Sequence, residues 1–120
     1  MVLVDTSIWI SHFREGNSHL KELLEEGSVV CHPFIIGELA CGSLKNRKKI
    51  VSLLKALPEV QTAESDEILQ FIEGKRLFGT GLGFVDIHLL ASSLLTKVLL
   101  WTADKSLQTA AAKLSIRHKC

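Results

Sequence analysis

Tyrosine is absent from this 120-residue sequence, and aromatic residues reach only 6%. A protein that grips nucleic acid by stacking successive bases needs exposed aromatic rings, so stacking is not the expected mode of binding here. Neither sign of charge is in excess. Lys and Arg total 14, Asp and Glu 13, and the formal net charge is +1. That balance excludes a uniformly basic surface, and any polyanionic partner would need locally sorted charge. Cysteine is sparse and odd in number, with Cys31, Cys41 and Cys120 and no CxxC pair. A disulfide framework is excluded, and a reducing, cytoplasmic setting is the better fit. No apolar run approaches the roughly 18 residues of a membrane span. The longest, Leu89 to Trp101, is broken by Lys97. The opening Met1-Val2-Leu3-Val4-Asp5 has no basic stretch and meets an acid at once, so no secretory signal is expected.

What is present is apolar text: 47% hydrophobic residues, 22% charged and a mean hydropathy of +0.26. At 13.3 kDa this is enough for one domain over residues 1–120 with a well-filled core. Short apolar runs alternate with helical periodicities. Val2-Leu3-Val4, Val29-Val30-Cys31 and Val98-Leu99-Leu100-Trp101 read as buried strands, with Val60-Gln61-Thr62 and Ile116 as weaker strand signals. Helices are expected over about 7–13, 20–26, 33–42, 45–57, 65–77, 84–95 and 103–114, with Pro33 in a first turn and Ser65 as a cap. The alternation predicts an α/β fold, a three-layer α/β/α sandwich around a central parallel sheet.

Nine of the thirteen acids lie in polar company and read as solvated faces. Four do not. Asp5 sits between Val-Leu-Val and Ile-Trp-Ile, Glu38 within Phe-Ile-Ile-Gly-Glu-Leu-Ala-Cys, Asp86 within Gly-Phe-Val-Asp-Ile-His-Leu-Leu, and Asp104 after Val-Leu-Leu-Trp-Thr-Ala. Carboxylates in such surroundings are costly unless paired or metal-bound. Asp5 and Asp104 end strands and begin helices, so each can also serve as an N-cap, and Asp86 in a first turn suits the helix dipole. Glu38 is mid-helix, where no cap is possible; its plain alternative is a salt bridge. The carboxyl edge of a parallel sheet is where ligands bind, and all four acids belong to elements that meet that edge. Converging there, they would repel unless a cation enters, and an all-oxygen set suits Mg²⁺ or Mn²⁺.

These stretches, Val-Leu-Val-Asp5-Thr6-Ser7, mid-helix Glu38, Gly-Phe-Val-Asp86-Ile-His-Leu-Leu-Ala-Ser and Leu-Leu-Trp-Thr102-Ala-Asp104-Lys-Ser-Leu, resemble the PIN-domain family, and within it the VapC-type toxins. The resemblance spans the whole chain in order. It implies a Mg²⁺- or Mn²⁺-dependent endoribonuclease of a type II toxin–antitoxin system, a homodimer, and a cognate antitoxin occupying the active-site groove. It assigns Asp5, Glu38, Asp86 and Asp104 to the metal-binding, catalytic positions, with Thr6 and Thr102 as supporting hydroxyls. All four acids are present, so nothing marks an inactive member.

Other signals are weaker. Lys45, Arg47, Lys48 and Lys49 form the densest basic cluster, Lys75 and Arg76 precede the Gly79-x-Gly81-x-Gly83 loop, and Lys105 adjoins Asp104. Solvated helix faces are the plain reading; contact with RNA phosphates is the functional one. The glycine loop lacks a preceding strand and a following Lys-Ser/Thr, so it reads as a hinge rather than a phosphate loop. Cys31, His32 and Cys41 lack a fourth ligand and regular spacing for zinc. Trp9 and Trp101 read as core. A phosphoacceptor receiver domain fails because Thr6 and Ser7, not a second acid, follow Asp5, and no acid follows Val29-Val30-Cys31. A housekeeping RNA-processing nuclease and a non-catalytic partner-binding domain on the same fold are the remaining alternatives.

Overall fold

The structure, a computed structural model, describes residues 1–119; the cysteine reading at Cys120 lies outside them. Its described elements are β1 (Val2–Val4), α1 (Thr6–Glu15), α2 (Ser18–Glu25), β2 (Val29–Val30), α3 (Pro33–Cys41), α4 (Arg47–Lys55), α5 (Ser65–Gly74), α6 (Phe84–Thr96), β3 (Leu99–Trp101) and α7 (Lys105–Lys113). The strands form a parallel sheet in the order β2-β1-β3, with Val2 opposite both Val29 and Leu99. Val2, Leu3 and Val4 are all buried. Successive strand residues face opposite sides, so both faces of the sheet are covered.

This is the expected α/β sandwich. Single bridges extend it at either edge, Cys31 with Glu59 and Leu100 with Arg117. The strand expected at Val60–Thr62 is reduced to that bridge at Glu59, because beyond it the chain leaves the sheet: Gln61 N–H donates to Thr96 Oγ1 at 2.9 Å. The Ile116 signal appears one residue later, at Arg117. Ser65 is the first helical residue of α5 rather than its cap. Glu64 takes the cap position, and its N–H donates to Glu67 Oε1 at 2.8 Å. This side chain–backbone contact starts the helix one residue before the serine.

Helix starts are set locally. Asn17 Oδ1 accepts from Leu20 N–H at 3.0 Å, and Pro33 sits in the first turn of α3 beside the capping His32. Seven consecutive residues of α6, Ile87 to Ser93, are buried, so this helix has no solvent face there and forms the centre of the helical layer. Because β1 lies between β2 and β3, the chain moves off on opposite sides of it. The carboxyl ends of β1 and β3 are therefore neighbours at the switch point of strand order.

His32 is buried, and its Nδ1 accepts from Phe34 N–H at 2.9 Å. Burial, aided by neighbouring His88, lowers its pKa from 6.5 to about 4. The unfolded chain therefore binds a proton at His32 that the folded chain refuses between those values, and stability must fall as pH drops through that window. The expected loss from pH 7 to pH 4.5 is about 1–3 kcal/mol. His32→Asn, which keeps a capping acceptor, should flatten the pH dependence of the urea midpoint. An unchanged slope would contradict this.

Candidate active site

Asp5 ends β1 and caps α1. It is 9% exposed, and three donors converge on its carboxylate: Thr6 N–H on Oδ1 at 2.8 Å, and the hydroxyls of Ser7 at 3.0 Å and Thr102 at 2.7 Å on Oδ2. A carboxylate so buried requires such donors. Thr102, at the end of β3, is itself buried. Its Oγ1 also accepts from Asp104 N–H at 3.1 Å, and its carbonyl accepts from Gln108 Nε2 at 2.8 Å. Ser7 Oγ in turn accepts from Ala103 N–H at 3.1 Å. The ends of β1 and β3 are thus fastened together by hydroxyls as well as by the sheet, where Asp5 N–H donates to Trp101 O at 2.9 Å.

The other three acids surround this knot. Asp104 caps α7, with Oδ1 accepting from Leu107 N–H at 2.9 Å. Asp86 reaches back one turn in α6, its Oδ2 accepting from Gly83 N–H at 3.0 Å. Glu38, exposed on α3, accepts from Thr6 Oγ1 through Oε1 at 2.7 Å. The hydroxyl beside Asp5 therefore draws α3 toward the strand end, and α1 packs against α3.

Electrostatics tie the group together. The Asp86 carboxyl is held above its ordinary pKa. Burial is the main cause, opposed by the Gly83 N–H and reinforced by the negative charges of Asp5 and Asp104. Glu38, Asp86 and Asp104 each commit one carboxylate oxygen to the chain and leave the other without a hydrogen bond among the described residues. Among the described residues no three acid, histidine or cysteine side chains are drawn together into a ready metal cage.

The capping reading of these acids holds: Asp5 and Asp104 are caps and Asp86 satisfies a first-turn N–H, while the charges of Asp5 and Asp104 also reach the Asp86 carboxyl. Glu38 takes a threonine hydroxyl rather than the alternative salt bridge. The basic residues scatter. Lys45 lines a groove of about 590 Å³ with Glu38, Arg14, Phe13 and Ile50, whereas Arg47 is turned to the carbonyl of Ala40, where α3 ends. Lys75 and Arg76 line a separate groove with residues of α7. Lys105 is exposed in the first turn of α7. Cys31 and His32 are buried and Cys41 is exposed, so the three form no site.

Ser7 was hidden by its ordinariness, since a serine in a first turn passes as a helix-start residue. The rings of Phe34 and Phe84 were hidden by apolar text. Each lies 4.7 Å from the His88 ring, and both are exposed beside the helices that carry Glu38 and Asp86.

Comparison with known proteins agrees with this geometry. A PIN domain model matches residues 2–113. Two curated relatives, each named Ribonuclease VapC32 and drawn from two strains of Mycobacterium tuberculosis (CDC 1551 / Oshkosh and ATCC 25618 / H37Rv), are 45% identical to this chain. The match runs over 114 residues, 94% of this chain and 92% of theirs. The solved structure of PAE2754 from Pyrobaculum aerophilum shares the fold at a TM-score of 0.56 and 15% identity, covering 95% of this chain and 88% of that one. With the family model spanning nearly its whole length and relatives at this level of identity, the chain belongs to the PIN domain family.

Proposed function

We propose that this chain, acting as one domain over residues 1–120, is the toxin endoribonuclease of a type II toxin–antitoxin pair, with Asp5, Glu38, Asp86 and Asp104 as its acidic centre. The observation that carries this reading is the hydroxyl-linked knot at the ends of β1 and β3, where Thr102 and Ser7 donate to buried Asp5 and Thr6 beside it donates to Glu38. The charges of Asp5 and Asp104 also act on the Asp86 carboxyl, and clustered carboxylates favour the entry of a cation. The PIN domain match and the relatives named as ribonucleases support the activity. They also support an RNA substrate and a cognate antitoxin over the other readings of this fold.

The donor set fits a hard divalent ion, Mg²⁺ or Mn²⁺. It is all oxygen, carries excess negative charge, and has uncommitted oxygens on Glu38, Asp86 and Asp104. Mg²⁺ keeps several of its waters and needs only one or two carboxylates from the protein. When bound, such an ion supplies Lewis acidity at a phosphodiester and a water of lowered pKa.

The chain's own residues do the rest. Thr102 and Ser7 hold Asp5 by hydroxyl donation. Thr6 orients Glu38 by the same means. Gly83 and Leu107 N–H groups fix one oxygen of Asp86 and one of Asp104, leaving the remaining oxygens without a hydrogen bond among the described residues. An acid of this group is suited to accept the proton of the attacking water. The groove that starts at Glu38 and is floored by Phe13, Leu39 and Ile50 suits an apolar antitoxin segment. We further place the protein in the cytoplasm as a homodimer. Its free thiols at Cys31 and Cys41 suit a reducing compartment, and among the described residues no helix is long and apolar enough to cross a membrane.

Asp86→Asn and Asp5→Asn should each lower RNA cleavage by at least about a hundredfold, the scale of losing one charge-positioning group, with an unchanged circular dichroism spectrum. Full cleavage by either variant would remove it from the centre. Thr102→Val should cost roughly 10–100-fold by loosening Asp5, measured as initial cleavage rate against wild type; an unchanged rate would leave that hydroxyl without a role. Chelation by EDTA should stop cleavage, and added Mg²⁺ or Mn²⁺ should restore it. EDTA-resistant cleavage would exclude the metal.

A further inference from the structure

We propose that the groove between the 75–82 segment and α7 is a track for the RNA backbone leading away from the acidic centre, with Lys75, Arg76 and Lys113 as its phosphate contacts. The inference rests on the ribonuclease reading above and extends it to the substrate's path.

The groove holds about 380 Å³ and is lined on one side by Lys75, Arg76 and Thr80 and on the other by Ser106, Thr109 and Lys113. Positions 106, 109, 110 and 113 recur at helical spacing, so α7 presents one continuous stripe to it. Three cations and three hydroxyls line it, and no acid does. In a chain whose net charge is +1, this is the local sorting that a polyanion requires. Leu77, Leu82, Ala110 and Leu114 complete the groove's lining; the groove along Glu38 differs in that its two cations share the space with that acid.

Position links the track to the acids. Asp104 caps the helix whose second residue, Ser106, begins the stripe. At the other wall, Gly81 lies against Ser106: a Cβ on it would meet the serine Oγ at 3.8 Å. Two residues on, Gly83 N–H is held by Asp86. The groove therefore opens at the edge of the acidic centre and runs along α7. From Ser106 to Lys113 it spans about 10 Å.

The cationic wall is rigidly set. Arg76 is a non-glycine residue at φ 53°, a left-handed conformation that needs support. The support is the closure of α5 around it: Leu77 N–H donates to Ile72 O at 2.9 Å, and Thr80 Oγ1 donates to Leu77 O at 2.6 Å. A strand whose scissile phosphate lies at the acids must continue somewhere, and this groove offers cations along its length next to that point.

The test measures binding of labelled single-stranded RNA of mixed sequence in Mg²⁺ buffer by fluorescence anisotropy, with Asp86→Asn in every protein to prevent cleavage. Lys75→Ala/Arg76→Ala/Lys113→Ala is compared with Lys21→Ala/Lys55→Ala/Lys119→Ala, which removes the same charge elsewhere. At about 0.7 per contact for a single strand, the groove variant should lower the slope of log Kd against log salt by about 2. It should weaken binding at least about tenfold near 0.1 M salt, with the other triple variant within about twofold of the parent. Lys113→Glu alone, at the exposed end of α7, should weaken binding several-fold if the triple variant proves unstable. Equal binding by the two triple variants overturns the track while leaving cleavage by the wild type, and so the ribonuclease reading, intact. RNA binding unchanged but affinity for a poly-glutamate peptide lost would make the groove a protein-docking site and overturn the track. A wild-type protein that neither binds nor cleaves RNA would overturn both.

Discussion

The hydrogen bond from Thr102 to Asp5, 2.7 Å long and joining residues 97 apart, is the contact on which the rest of the site depends. It crosses from the end of β3 to the end of β1, at the point where the strand order turns. Without it, the carboxylate of Asp5 would lose a donor in a buried position, which costs about 1–3 kcal/mol. Through it, Thr102 also fixes the N–H of Asp104. One hydroxyl thus places two acids from distant parts of the chain. Thr6 does the same for Glu38, so threonines beside the first and last acids organise the cluster.

That arrangement explains why a stable protein keeps several acids together. Glu38, Asp86 and Asp104 each do local structural work with one oxygen, as a cap or as the acceptor of a neighbouring hydroxyl, while Asp5 accepts through both. Helix N-termini contribute partial positive charge at Asp5, Asp86 and Asp104. The Asp86 carboxyl is nonetheless held above its ordinary pKa, chiefly by burial, with the negative charges of Asp5 and Asp104 adding to it. On the proposed reading, the uncommitted oxygens of Glu38, Asp86 and Asp104 are the ones a divalent cation would take up.

Much of this was legible in the sequence, for identifiable reasons. The three strands are short runs of Val, Leu and Trp bounded by turn residues, and their burial on both faces left a continuous apolar signal. Asp5, Asp86 and Asp104 stood out because acids rarely follow such runs, and Glu38 because nothing local could satisfy it. The ordered set was sufficient for the family resemblance that the PIN domain match bears out. What escaped was set by tertiary contact. The start of α5 went to Glu64 rather than Ser65 because the Glu67 side chain reaches back to the Glu64 N–H. The strand at Val60 failed because Thr96, distant in sequence, captures the next N–H. The basic residues could be counted but not sorted. Only the fold separates Arg47, spent on a helix end, from Lys75 and Arg76, which face α7 across a groove, and it adds Lys113, which no local pattern singled out.

The central claim is that these acids share one cation. Crystals grown with Mn²⁺ and measured at a wavelength where manganese scatters anomalously test it most directly. The account predicts an anomalous peak within coordination distance, about 2.0–2.3 Å, of carboxylate oxygens from at least two of Glu38, Asp86, Asp104 and Asp5, with water completing its shell. A well-ordered crystal at millimolar Mn²⁺ with no peak at these four side chains, or with its manganese bound elsewhere on the surface, would contradict it.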